Sequence, residues 1–89
     1  MLRIGTRQLD GLTELSLQGR LAGAWVAEVR QALAALDLPS SLVTLDLSEV
    51  RYVDEAGERL LREVASSGIR IGLRSGFVAA LLEERGREP

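Results

Sequence analysis

Apolar and polar residues alternate in four separate runs, and each run predicts a strand with one buried face. In residues 2–9, Leu2, Ile4 and Thr6 alternate with Arg3, Gly5 and Arg7. Asp10-Gly11 follows, a two-residue hairpin signal because both positions tolerate positive φ. In the return strand, residues 12–18, Thr13, Leu15 and Leu17 oppose Glu14 and Ser16. In the third strand, 42–48, Val43, Leu45 and Leu47 alternate with Thr44, Asp46 and Ser48. The fourth sets Ile69, Ile71 and Leu73 against Arg70, Gly72 and Arg74.

Between these runs the period changes to that of a helix. Gln18–Gly23 reads as a turn region. From Ala24 to Asp37, Trp25, Val29, Ala32, Leu33 and Leu36 share one side, which makes Trp25 a core residue in this reading. Pro39 ends the segment by disfavouring helical geometry at Leu38. After the third strand a polar link leads to an apolar step at Tyr52-Val53. A helix then spans Glu55 to Ser67, with Gly57, Leu60, Leu61 and Val64 inward and Gly68 as its C′ residue. Ser75 is placed to cap a last helix carrying Phe77, Val78, Leu81 and Leu82, and 83–89 form a polar tail.

The predicted order is ββαβαβα in a single domain spanning 1–89, of the α/β class with an α+β-like mixed sheet. None of the strands is a continuous apolar run, so the sheet is not sandwiched between two helix layers. Helices on one face and an open polar face carrying Arg3, Glu14, Ser16, Thr44, Asp46 and Arg70 are expected. On that face Asp46 is expected to pair with Arg70.

Composition narrows the chemistry. The chain has no Cys and no His, and its eleven basic residues are all arginine. Disulfides, Cys- or His-based metal sites, and Cys–His, Ser–His or lysine catalysis are excluded. A net charge of −2 with dispersed arginines gives no nucleic-acid stripe. No apolar run approaches a membrane span, and the start is not that of a signal peptide, so a cytoplasmic protein without membrane insertion is expected. Asp46, Asp54 and Glu55 are carboxylates without a recognisable nucleophile–base pair, and no glycine-rich phosphate loop is present. The expectation is a non-enzyme without a cofactor.

The stretch Val43–Gly57 (VTLDLSEVRYVDEAG) joins a strand to a helix start, where open α/β sheets place functional surface. Asp54 has the chemistry of an N-cap, and Glu55 suits the positive end of the helix dipole. Glu55–Arg59 and Glu58–Arg62 form i,i+4 pairs. Tyr52, Asp54, Glu55, Ala56, Gly57, Glu58, Arg59 and Arg62 are the candidate partner-binding residues. For Glu55, Arg59 and Arg62 a solvated helix face is the plainer alternative.

LQGRLAG at 17–23, VTLDLSEV at 43–50, RYVDEAG at 51–57 and SGFVAALL at 75–82 together resemble the STAS domain, the sulfate-transporter and anti-sigma-factor-antagonist module. The resemblance implies a bacterial, cytoplasmic regulatory module that binds a serine-kinase anti-sigma factor and acts in signal transduction and transcription regulation. It implies as an alternative an accessory subunit of a phospholipid-transporting ABC ATPase. Members of the family are switched off by phosphorylation of a serine at the start of the second helix, in a pattern like D-S-S-G or D-S-A-G. Here Asp54-Glu55-Ala56-Gly57 puts alanine at that position. Family members also continue with another strand and helix, so the resemblance implies a short, non-phosphorylatable variant. The remaining phosphorylation candidates are Ser48, Ser66, Ser67 and Ser75. The sequence leaves the oligomeric state, and any supply of the extra unit by another chain, open.

Overall fold

The computed structural model describes residues 1–76 and 78–81. Its elements are β1 (Leu2–Leu9), β2 (Leu12–Leu21), α1 (Ala24–Leu36), a short 3-10 turn (Ser40–Leu42), β3 (Val43–Val53), α2 (Glu55–Ser66) and β4 (Arg70–Arg74). Gly76 and residues 78–81 are also helical. Phe77, Leu82 and the 83–89 tail lie outside the described residues.

The strands form a mixed sheet in the order β1-β2-β3-β4. β1 and β2 are antiparallel, joined by Asp10 and Gly11 at φ 48° and 82°. β2–β3 and β3–β4 are parallel. Both parallel connections advance the same way across the sheet, which puts α1 and α2 on one face when the crossovers are right-handed. One core results: Leu15, Leu17 and Leu21 from β2 and Leu45, Leu47, Val50 and Val53 from β3 meet Val26 and Val29 of α1, Leu60, Leu61 and Val64 of α2, and Val78. The opposite face is polar, as the alternation predicts. On it Arg7 Nε donates to Glu14 at 2.9 Å, and Thr44 Oγ1 donates to the Arg70 carbonyl at 3.0 Å.

Several expectations are corrected. β2 runs on to Leu21, so most of the predicted turn at 18–23 is strand. The polar link after Ser48 is not a break either, because β3 continues to Val53. Two surplus residues in β3 hide this from a period-2 reading. The register steps from Ser16↔Asp46 to Gln18↔Glu49, and from Gly19↔Val50 to Arg20↔Tyr52. Each step is a bulge that leaves a pair of neighbours exposed, Ser48-Glu49 and Arg51-Tyr52, before the next buried valine.

Trp25 is not core. It is 37% exposed, and Val26 takes the inward position. Asp46 does not pair with Arg70: a register shift sets it opposite Leu73, and its carboxylate accepts from Ser48 N–H at 2.9 Å and Ser48 Oγ at 2.7 Å. α2 ends at Ser66, one residue short of the predicted end, and Gly68 at φ 96° follows the C-cap Ser67.

Candidate functional site

Asp54 organises the junction between β3 and α2. Its Oδ1 accepts from Gly57 N–H at 2.8 Å, which caps α2. Its Oδ2 accepts from Gly23 N–H at 2.9 Å, and Gly23 is the N-cap residue of α1. One half-buried carboxylate therefore joins the starts of both helices. The backbone adds a third tie, from Asp54 N–H to the Leu21 carbonyl at 3.2 Å. Glycine at 23 has no side chain to cap the first-turn amides of α1, and the distant aspartate instead takes up Gly23's own N–H.

These amide bonds, first Gly23's and then Gly57's, hold the Asp54 carboxyl below the usual carboxylate range. A depressed folded pKa means that the stabilisation is fully present above the unfolded value of about 4 and is lost as pH falls through the folded pKa. Thermal melts are expected to be flat from neutral pH to about 5 and to drop below that. Asp54→Asn should melt lower at neutral pH and lose part of the acid sensitivity. An acid profile identical in both proteins would contradict this role.

Gly57 lets α2 sit against β2. A Cβ there would lie 2.5 Å from the Leu21 carbonyl oxygen and 2.9 Å from Val53 Cγ1. Pressed in at this point, the first turn of α2 displays a defined set of side chains. Glu55 and Arg59 stand outward, with side chains 90% and 67% exposed and 3.6 Å apart. Ala56 is exposed beside them. Glu58 and Arg62 are turned onto each other at 3.3 Å, and the Glu58 side chain is mostly covered. Of the predicted partner-binding residues, Glu55, Ala56 and Arg59 thus form the displayed tip, while Asp54 and Gly57 hold it in place.

Tyr52 lies at the end of β3, 39% exposed, with the Arg20 guanidinium 4.6 Å from its ring centroid. The roles of Gly23 and Arg20 depend on pairings between distant segments. Arg20 becomes Tyr52's neighbour only through the second bulge, and no local pattern signals it. A further tie, the Arg30–Glu63 ion pair, joins the exposed sides of α1 and α2, and it lowers the Glu63 carboxyl. Ser75 Oγ accepts from Val78 N–H at 3.2 Å, the geometry of a cap. Among the described residues no group of three or more His, Cys, Asp or Glu is placed to hold a metal ion, and no helix is long and apolar enough to cross a membrane.

No protein-family model matches the sequence, and no curated protein does. Solved structures do match. An anti-sigma factor antagonist from Mycobacterium paratuberculosis superposes with a TM-score of 0.64 over 85% of this chain at 20% identity. The chain has the fold of an anti-sigma factor antagonist. It spans 63% of that antagonist's length. Two structures of Mglu contain a similar unit. One matches with a TM-score of 0.57 and 27% identity over 78% of this chain; the other, the native form, with 0.57 and 21% over 80%. The chain corresponds to only 18% and 23% of those proteins. The antagonist fold therefore also occurs as a small part of longer polypeptides.

Proposed function

We propose that this chain is a non-catalytic bacterial protein-interaction module of the antagonist type, which engages a serine-kinase anti-sigma factor through the first turn of α2. The observation that carries the reading is the Asp54 clamp. By joining both helix starts it fixes Glu55, Ala56 and Arg59 as a rigid, exposed tip beside the end of β3. A surface held in one conformation before contact loses little freedom on binding. The tip carries no nucleophile, and Ala56 has no hydroxyl, so docking there is not controlled by phosphorylation of that residue.

Affinity capture from the source cell, read by mass spectrometry, tests this. The wild-type chain is expected to retain an anti-sigma factor kinase. The double reversal Glu55→Arg/Arg59→Glu should weaken capture at least about ten-fold, since charge reversal at an interface sets like charges against the partner. A reversal at Arg7 and Glu14, on the open sheet face, should leave capture intact. Equal capture by all three proteins would exclude the α2 tip. Retention of a transporter's nucleotide-binding subunit in place of a kinase would replace the sigma-regulation reading with an accessory role in transport.

A further inference from the structure

Among the arginines whose side chains are described, four are ion-paired and four are not. Arg7, Arg30, Arg59 and Arg62 are each ion-paired to a glutamate. Arg3, Arg20, Arg51 and Arg70 have no carboxylate within ion-pair distance among the described residues; Arg70 lies opposite Thr44, and the other three gather at the far end of the open sheet face. The strand registers place them there. Arg3 pairs with Gln18, and Gln18 with Glu49, which makes one row across β1, β2 and β3. The next row sets Arg20 beside Tyr52, and the bulge in β3 adds Arg51. Met1, Arg3, Gln18, Gly19, Glu49 and Arg51 line a shallow cleft of about 330 Å³.

We propose that this cleft is a second docking surface, distinct from the α2 tip, for an extended acidic peptide segment of a partner protein. Guanidinium forks bind carboxylates bidentately, and these three are mounted on strands rather than on loops. Stacking on Tyr52 holds the plane of Arg20 and leaves its N–H edges for an acceptor. Adjacent strands are about 4.8 Å apart, so Arg3 on β1 and Arg51 on β3 flank β2 at a spacing that alternate carboxylates of an extended chain, which share one face, can span. Glu49 decides the class of ligand. Within the cleft it repels a compact polyanion, whereas a peptide can set its carboxylates on the arginines to either side and donate a backbone N–H to Glu49. Two arginines in the cleft and Arg20 beside it, offset by Glu49 on a chain of net charge −2, are too few for a nucleic-acid backbone.

The test is titration of the intact chain with a deca-glutamate peptide, followed by amide chemical shifts. Saturable shifts are expected at Arg3, Gln18, Glu49 and Arg51, weakening several-fold when salt rises from about 0.05 to about 0.5 M, because exposed charges are screened. Arg3→Gln and Arg51→Gln should each weaken binding roughly ten-fold, while Arg59→Gln, at the α2 tip, should not change it. These are surface replacements, so the folded spectrum itself reports that each variant is intact. Absence of saturation, shifts centred on α2, or equal competition by inorganic phosphate would each overturn the proposal; the last would make the cleft a small-anion site. Because the probe is a peptide, the result is independent of whether the α2 tip captures an anti-sigma factor.

Discussion

Replacing Gly57 with alanine is expected to destabilise the protein by about 1–3 kcal/mol, the range for overpacking a filled site. Helix propensity alone predicts the opposite sign, since alanine is favoured over glycine inside a helix by about 1 kcal/mol. The geometry decides between them. The new Cβ would meet the Leu21 carbonyl oxygen at 2.5 Å, and that oxygen, at the end of β2, is already held by the Asp54 N–H and cannot simply rotate away. The remaining exit is for α2 to back off from β2. That movement pulls on both Asp54 bonds, to Gly57 and to Gly23. Stability and partner capture should therefore fall together. Urea unfolding with capture assays on the same samples would check this. A midpoint equal to or above wild type would mean that α2 does not seat against β2 as described.

Leu47→Ala is expected to have the largest effect of any single truncation, about 2–5 kcal/mol. Leu47 is fully buried in a strand with neighbours on both sides, within the cluster shared by sheet and helices. A domain of this size has about 5–10 kcal/mol in total, so the variant should be partly unfolded at physiological temperature. Leu9→Ala is the control. Leu9 is 40% exposed near the hairpin tip, and its loss should cost less than about 0.5 kcal/mol. Denaturant midpoints for the two variants separate the cases, and similar midpoints would contradict the placement of the core.

The hydrophobic pattern carried most of the architecture. Alternation in Leu2–Leu9, Thr13–Leu17 and Val43–Leu47 marked strands with one buried face, and from that followed helices on a single side. Asp10-Gly11 marked the hairpin because its chemistry is local. Asp54 was legible as a cap for the same reason: its acceptor serves an amide three residues on. What escaped was non-local. The second oxygen of Asp54 reaches back to Gly23, thirty-one residues away. Two surplus residues shift the phase of β3, so Glu49–Arg51 read as a polar link although they lie in the sheet. Trp25 was misplaced because Val26, one position along α1, completes an equally good apolar stripe with Val29. A large aromatic ring invites burial on size alone, but helix phase sets its direction.

The bridge from Asp54 to Gly23 also has an optical consequence. The carboxylate that caps α2 also grips the residue two places before Trp25. The chain has a single tryptophan, and its indole stands in the first turn of α1, partly in solvent. Its fluorescence is therefore a built-in reporter of whether the Asp54–Gly23 tie holds, for example as pH falls or in Asp54→Asn, readable without attaching a dye.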